Sequence, residues 1–239
     1  LGNEGDAELW TIEADKIGTA VRDRMWDPAE EMFFDVNPLT GQRTRVKSAT
    51  CFYPYFTDIV ADVHVAGLKK HILNRKEFWT PFPVPSTSRD DATFSAEPEW
   101  KGMRMNCPWN GRVWPMTNSH LVEALGVSAR RFGDARLRRA TVQLLSSFIK
   151  MMFTERDPDR PNCYEHYNPL TGTPSVYRGI DDYQHSWVND LIITYVCGIV
   201  PEEGAVLIDP FPFGLGHLVV DDVRIQGHSL RIVIKKKEF

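Results

Sequence analysis

Apolar residues fall at helical spacing in five places along the chain. Trp10, Ala14, Ile17, Val21 and Met25 predict a helix over 6–26, which Asp27-Pro28 stops. Ile59, Val60, Val63, Leu68 and Ile72 predict another at about 56–73. Leu121, Leu125 and Phe132 mark one at about 117–132, and Leu137, Thr141, Leu144, Phe148 and Met151 one at about 134–154. The short break FGD between these two predicts an antiparallel helical hairpin. Trp187, Leu191, Ile192 and Tyr195 predict a last helix at about 186–199, ending near Gly198. Beyond Pro201 the period changes to apolar–polar alternation broken by turn pairs, which predicts a small antiparallel meander.

Between the helices the pattern is irregular. Residues 30–47 read as a hairpin-like excursion whose turn is NPLTGQ. Residues 77–116 are rich in Pro and Trp, and 157–185 form a second long loop that repeats NPLTG. Loops of that length inside a compact domain are usually functional or disordered, and the density of aromatics favours order. A unit of helix, excursion and helix thus occurs at least twice, and the repeated pentapeptide fits the turn of equivalent excursions. Alignment on Asn37 and Asn168 sets Phe34 against Glu165 and Asp35 against His166. Pro and Gly explain the shared string as turn chemistry, and only the second copy carries a carboxylate at that position.

Composition narrows the function classes. Net charge −4 and an isoelectric point near 6.0 argue against nucleic-acid and anionic-membrane surfaces. No stretch approaches the 18 or so apolar residues of a membrane span. Cys51, Cys107, Cys163 and Cys197 are too widely spaced for a zinc site and read as free thiols. No metal cluster is visible, and no cofactor is expected. The chain opens almost directly into a helix without a signal peptide, which suggests a fragment or a processed piece. Aromatic residues make up 11%, many of them in loops, where they serve either sugar-like ligands or inter-helix packing.

Two loop clusters hold the candidate chemistry. In CPWNGRVWPMTN (107–118), Trp109 and Trp114 offer stacking faces. Arg112 is a fork donor for hydroxyls or a carboxylate, and Asn110 and Asn118 can each donate and accept. The alternative is a Trp-rich plug between helices. In YEHYNPLTG (164–172) and DDYQHSW (181–187), Glu165 stands among aromatics with His166, Tyr167, His185 and Trp187 nearby. A carboxylate so placed can activate water as a general base, although an isolated Glu is usually a surface residue. Asp90 and Asp91 are weaker acid candidates in a loop.

These motifs resemble those of six-hairpin glycosidases. WNGRVWPMTN is similar to their W-x-G-x-x-W-P segment, and EHYNPLTG and DDYQHSW to their E-x-Y-x-P-x-T-G stretch and the segment just after it. EFWTPFPVPSTSRDD and DPFPFGLGHLVVDDVRIQGHSLRI also look like parts of large bacterial members. The resemblance is to glycoside hydrolase family 63 and its mannosylglycerate-hydrolase-like relatives, and more distantly to trehalases. It implies a mainly α fold, a partial (α/α)6 toroid of helical hairpins over 1–200 with a β appendage over 201–239. It further implies inverting hydrolysis of α-linked glucosides or mannosides, with Glu165 as general base. Trp109, Asn110, Arg112, Trp114, Asn118, His166, Tyr167, His185 and Trp187 are then expected to bind the sugar.

The family's general acid lies in an upstream segment resembling E-S-G-x-D, which these residues do not contain. The acid is therefore expected on a missing N-terminal half or another chain. The competing expectations are a non-catalytic carbohydrate-binding remnant and, more weakly, a helical scaffold with packing aromatics. The glycosidase reading requires Glu165, Trp109, Arg112 and Trp187 to converge on one cleft.

Overall fold

The computed structural model describes residues 4–175, 185–225 and 227–235. Among them are five α-helices and four two-stranded antiparallel sheets. Helix α1 (Glu4–Ala20) runs into a wider helical turn, Val21–Met25, and ends at the pairing of β1 (Trp26–Asp27) with β2 (Met32–Phe33). Helix α2 is Asp62–Ile72. Strands β3 (Glu99–Trp100) and β4 (Met103–Arg104) form a small hairpin in the long Pro/Trp-rich loop. Helices α3 (Pro115–Arg131) and α4 (Ala135–Met151) come next, then α5 (Trp187–Leu191), extended by a wider turn over Ile192–Val196. Strands β5 (Ile199–Glu202), β6 (Ala205–Ile208), β7 (His217–Ile225) and β8 (His228–Lys235) complete the described chain.

The αα-hairpin forms where the spacing predicts it. Pro115 suits the first helical turn of α3, where a missing N–H costs nothing. Gly133, at φ 62°, makes the turn, and the Asp134 carboxylate caps α4 by accepting from Arg136 N and Leu137 N at 2.8 and 2.9 Å. Leu137, Ala140, Thr141, Leu144, Leu145, Phe148 and Met151 then form one buried stripe. They join Leu121, Leu125, Ile72, Phe52, Phe78 and Tyr195 in a continuous core.

Two expectations are corrected. The helix expected at 56–73 begins only at Asp62; before it, Ala49–Phe56 forms a short 3-10 helix containing Pro54. His64 Nδ1 accepts from Ala61 N at 2.9 Å and so caps the start of α2, a role no hydrophobic period reveals. Among the described residues the apolar stripe over 6–26 meets the core only at its C-terminal end: Trp10 is 73% and Ile17 60% exposed, whereas Val21 and Met25 in the wider turn after α1 pack against it. The C-terminal meander is instead two separate hairpins, β5–β6 and β7–β8, and the first starts at Ile199.

The segment after β6 is fastened back onto the helices. The Asp209 carboxylate accepts from both terminal nitrogens of Arg138, at 2.9 and 2.7 Å, and from Arg130 Nε at 3.1 Å. Phe211 lies 4.2 Å from the Arg138 guanidinium and 5.1 Å from the Tyr195 ring. Polar anchors of this kind leave no periodic trace in sequence.

Candidate active site

The two copies of NPLTG fold alike. Asn37 Oδ1 accepts from Leu39 N and Thr40 N at 2.9 and 3.2 Å, and Asn168 Oδ1 from Leu170 N and Thr171 N at 2.8 and 3.2 Å. Gly41 N donates to Asn37 O at 2.8 Å, and Gly172 N to Asn168 O at 2.9 Å. Both glycines are left-handed, at φ 70° and 72°. The repeat is therefore one Asn-initiated turn used twice, as its Pro and Gly suggest. Phe34, in the first copy, is core beneath the Arg45 guanidinium at 5.8 Å, whereas its counterpart Glu165 is half-buried.

The strand leading into the second turn is laced to the Trp-rich loop. Val113 and Tyr167 exchange backbone hydrogen bonds, both 2.9 Å. Tyr167 is fully buried, its hydroxyl donating to Asn162 Oδ1 at 2.9 Å and accepting from Tyr164 N at 2.9 Å. Its role in the structure is to hold the strand that carries Glu165. Burial raises its pKa strongly.

Arg112 is also committed to the scaffold. It is buried, with Nε donating to His166 Nδ1 at 3.0 Å and the other nitrogens to Ala96 O and Thr173 O at 3.0 and 3.2 Å. Burial pulls its pKa down to about 10 against the opposing pull of Glu97, so the cation persists at neutral pH. Burial and the Arg112 cation push the His166 imidazole down to about 4, which keeps it neutral and able to accept from Arg112. His166 Nε2 faces the Asn106 backbone without a well-formed hydrogen bond among the described residues. Glu97, Arg104, Arg112, His166, Asn168 and Thr173 line a cleft of about 300 Å³ here.

The tryptophans divide by exposure. Trp114 is buried, with Nε1 donating to Pro108 O at 2.9 Å and its ring 5.1 Å from His166. Trp109 stacks flat on Trp114 and is 48% exposed, presenting an aromatic face to solvent. Gly111, at φ 145°, permits the close pass of this loop; a Cβ there would lie 2.2 Å from Ser95 O. Asn110 Nδ2 donates to Thr93 O and Glu99 O at 3.1 and 3.0 Å, and the buried Asn118 binds Val84 N and O. Both amides are used within the protein.

On the other side, His185 Nε2 donates to Tyr164 O at 2.8 Å, and burial lowers the His185 pKa. Two residues further, Trp187 opens α5 and is 39% exposed. Residues 181–184 of DDYQHSW lie outside the described residues. The Glu165 backbone is thus flanked by Tyr164, tied toward α5, and His166, tied to the Trp109–Trp114 loop. The Glu165 carboxylate makes no hydrogen bond or ion pair with any described residue. Asp90 and Asp91 do: Asp90 pairs with Lys47 at 2.8 Å, and Asp91 accepts from Thr93 and Lys47 N.

Tyr53, His120 and Glu97 were not singled out by sequence. His120 meets Trp187 edge-on at 4.7 Å and shares a 2.9 Å hydrogen bond with the Tyr53 hydroxyl.

A family model for the mannosylglycerate hydrolase MGH1-like glycoside hydrolase domain matches residues 1–186. The chain belongs to this family. Among solved structures, a sialidase superposes with TM-score 0.85 at 21% identity, over 98% of this chain and 21% of that one. The GH63 mannosylglycerate hydrolase from Thermus thermophilus, in complex with glucose, gives TM-score 0.53 at 23% identity, over 71% of this chain and 36% of that one. The neutral trehalase of Saccharomyces cerevisiae gives TM-score 0.54 at 19% identity, over 78% and 30%. These likenesses show a helical-hairpin glycosidase fold, and the chain spans about a fifth to about a third of the length of these structures. No curated protein matches the chain.

Among the described residues no helix is long and apolar enough to cross a membrane, and no group of three or more His, Cys, Asp or Glu could hold a metal ion.

Proposed function

We propose that this chain carries the general base and one aromatic wall of an inverting glycoside hydrolase acting on α-linked glucosides or mannosides. Residues 1–200 form the C-terminal part of an (α/α)6 toroid, 201–239 an appendage, and residues outside this sequence complete the barrel and supply the general acid. The observation that carries the reading is the clamped position of Glu165. Its two chain neighbours are fixed by the His185–Tyr164 bond of 2.8 Å and the Arg112–His166 bond of 3.0 Å, between the start of α5 and the Trp-rich loop, each of which presents an exposed tryptophan.

The chemistry follows from that position. Glu165 takes a proton from a water whose oxygen attacks the anomeric carbon, on the face opposite the leaving group. The acid protonates the departing glycosidic oxygen, the C–O bond breaks, and configuration inverts. Such a pair stands about 6.5–9.5 Å apart, leaving room for the water. The carboxylate then returns its proton to solvent, and the acid takes one back from solvent, which resets both groups. Trp109 and Trp187 give flat apolar faces for the C–H surface of the sugar, while Arg112, His166 and Tyr167 hold the framework around the base.

The test is Glu165→Gln in the intact enzyme, assayed on α-glucosides and α-mannosides. Hydrolysis falls by about 10²–10⁴-fold while sugar binding persists. Wild-type turnover by that variant defeats the assignment. Sugar binding by a wild-type enzyme without turnover favours a carbohydrate-binding remnant instead.

A further inference from the structure

His120 projects from the second turn of α3 and touches three aromatic rings from two other elements. Its ring meets Trp187, on α5, at 4.7 Å between centroids and 86° between planes. It lies nearly parallel to Phe56, 5.6 Å away at 20°, and edge-on to Tyr53 at 4.7 Å and 69°. The Tyr53 hydroxyl fixes the remaining freedom through its 2.9 Å hydrogen bond to His120 Nδ1. Tyr53 and Phe56 both belong to the 3-10 helix Ala49–Phe56, which packs against α3.

The imidazole is therefore held on one side by Phe56 and by Tyr53's hydroxyl, and offers its other contact to the indole of Trp187. That indole is 39% exposed, so it has an open side. Edge-to-face aromatic pairs are directional, and an imidazole so held fixes the angle at which the indole stands. Burial lowers the His120 pKa, so at neutral pH a neutral ring makes this contact.

We propose that His120, anchored by Tyr53, is a positioning residue that sets the orientation of Trp187 as a wall of the sugar pocket. The proposal rests on the glycosidase reading of Trp187, but its first prediction is independent of any sugar. His120 acts through Trp187 and takes no part in proton transfer. Its loss weakens sugar binding and raises KM, and leaves the step carried by Glu165 nearly unchanged in kcat.

The test reads the indole N–H resonance of Trp187, assigned by its disappearance in Trp187→Phe, with D-glucose and D-mannose as probes. In His120→Ala the Trp187 resonance shifts while those of Trp109 and Trp114 hold, and hexose affinity falls about three- to tenfold. His120→Phe keeps a ring and restores most of the affinity. Tyr53→Phe, which removes one oxygen atom, shifts the same resonance less. An unmoved Trp187 resonance in His120→Ala overturns the proposal, as does a moved resonance with unchanged hexose affinity. If the wild-type Trp187 resonance itself ignores both hexoses, the sugar-pocket reading of Trp187 falls, and this proposal with it. That outcome is told apart because it appears before any substitution is made. Should His120→Ala fail to fold, the Tyr53→Phe comparison decides alone.

Discussion

The indole of Trp109 lies face to face on that of Trp114, 4.0 Å between centroids and 4° from parallel. The pair divides two tasks. Trp114 is buried and hydrogen-bonded to Pro108 O, so it is packing; Trp109 is half-exposed, so one face is available. Trp114→Ala should cost about 3–5 kcal/mol of stability by cavity formation. Trp109→Ala should cost only about 0.5–1.5 kcal/mol, the value of a stacked pair, yet weaken D-glucose binding measurably. Denaturant titration and intrinsic fluorescence on both variants check the division, and equal stability losses would contradict it.

Asn118 is fully buried and binds both backbone groups of Val84, with Nδ2 also donating to Trp114 O at 3.0 Å. It thereby joins the Pro-rich loop to the first turn of α3. Asn118→Leu keeps the volume but leaves the Val84 N–H and C=O buried without partners, each costing about 1–3 kcal/mol. A drop of about 2–5 kcal/mol in denaturant titration is expected. A change within about 0.5 kcal/mol would mean that those groups find water or other partners.

Much of the helical scaffold was legible because α3 and α4 have long, unbroken apolar periods and a turn with Gly133 and Asp134. The shared NPLTG turn was legible because Asn, Pro and Gly act within five residues. What failed was non-local. Nothing in the spacing of Trp10 and Ile17 says whether another element covers them. The alternation after Pro201 could not distinguish one continuous meander from two hairpins, since pairing across a sheet leaves no mark on its own strand. At the candidate site, the residue types suggested ligand contacts, and nothing local shows that Arg112, Asn110, Asn118 and Tyr167 spend their polar groups on the protein's own loops. His120 was missed because its significance comes from Tyr53, 67 residues before it, and from Trp187 on another helix.

His166 makes the stability of the fold depend on pH in a definite direction. An unfolded histidine titrates near about 6.5, while in the fold burial and Arg112 push His166 down to about 4. Between those values the unfolded chain holds a proton that the folded chain lacks, so stability falls as pH drops from about 6.5 and the loss is complete near about 4. Above about 6.5 the contribution is fully present. His166→Gln keeps an acceptor for Arg112 Nε but does not titrate. The gap in unfolding free energy between wild type and variant should therefore change by a few kcal/mol across this window, in favour of the variant at low pH. A gap that is constant with pH would show that His166 is protonated, or reached by water, in the folded protein.

The contrast between α1 and α4 gives a last comparison. Both helices carry large apolar residues at helical spacing, and sequence alone ranks Trp10 and Phe148 alike. In the structure the Trp10 side chain is 73% exposed, whereas Phe148 is fully buried in the central core. Removal of a ring from water-exposed helix surface forfeits little, so Trp10→Ala should change stability by less than about 0.5 kcal/mol, helped by the better helix propensity of Ala. Phe148→Ala removes a buried ring and leaves a cavity, at a cost of about 3–5 kcal/mol. Urea titration of both variants measures the difference directly. A Trp10→Ala loss approaching that of Phe148→Ala would mean that this face of α1 is covered in solution, by another copy of the chain or by a partner, and concentration dependence of the midpoint would separate the first of these from the second.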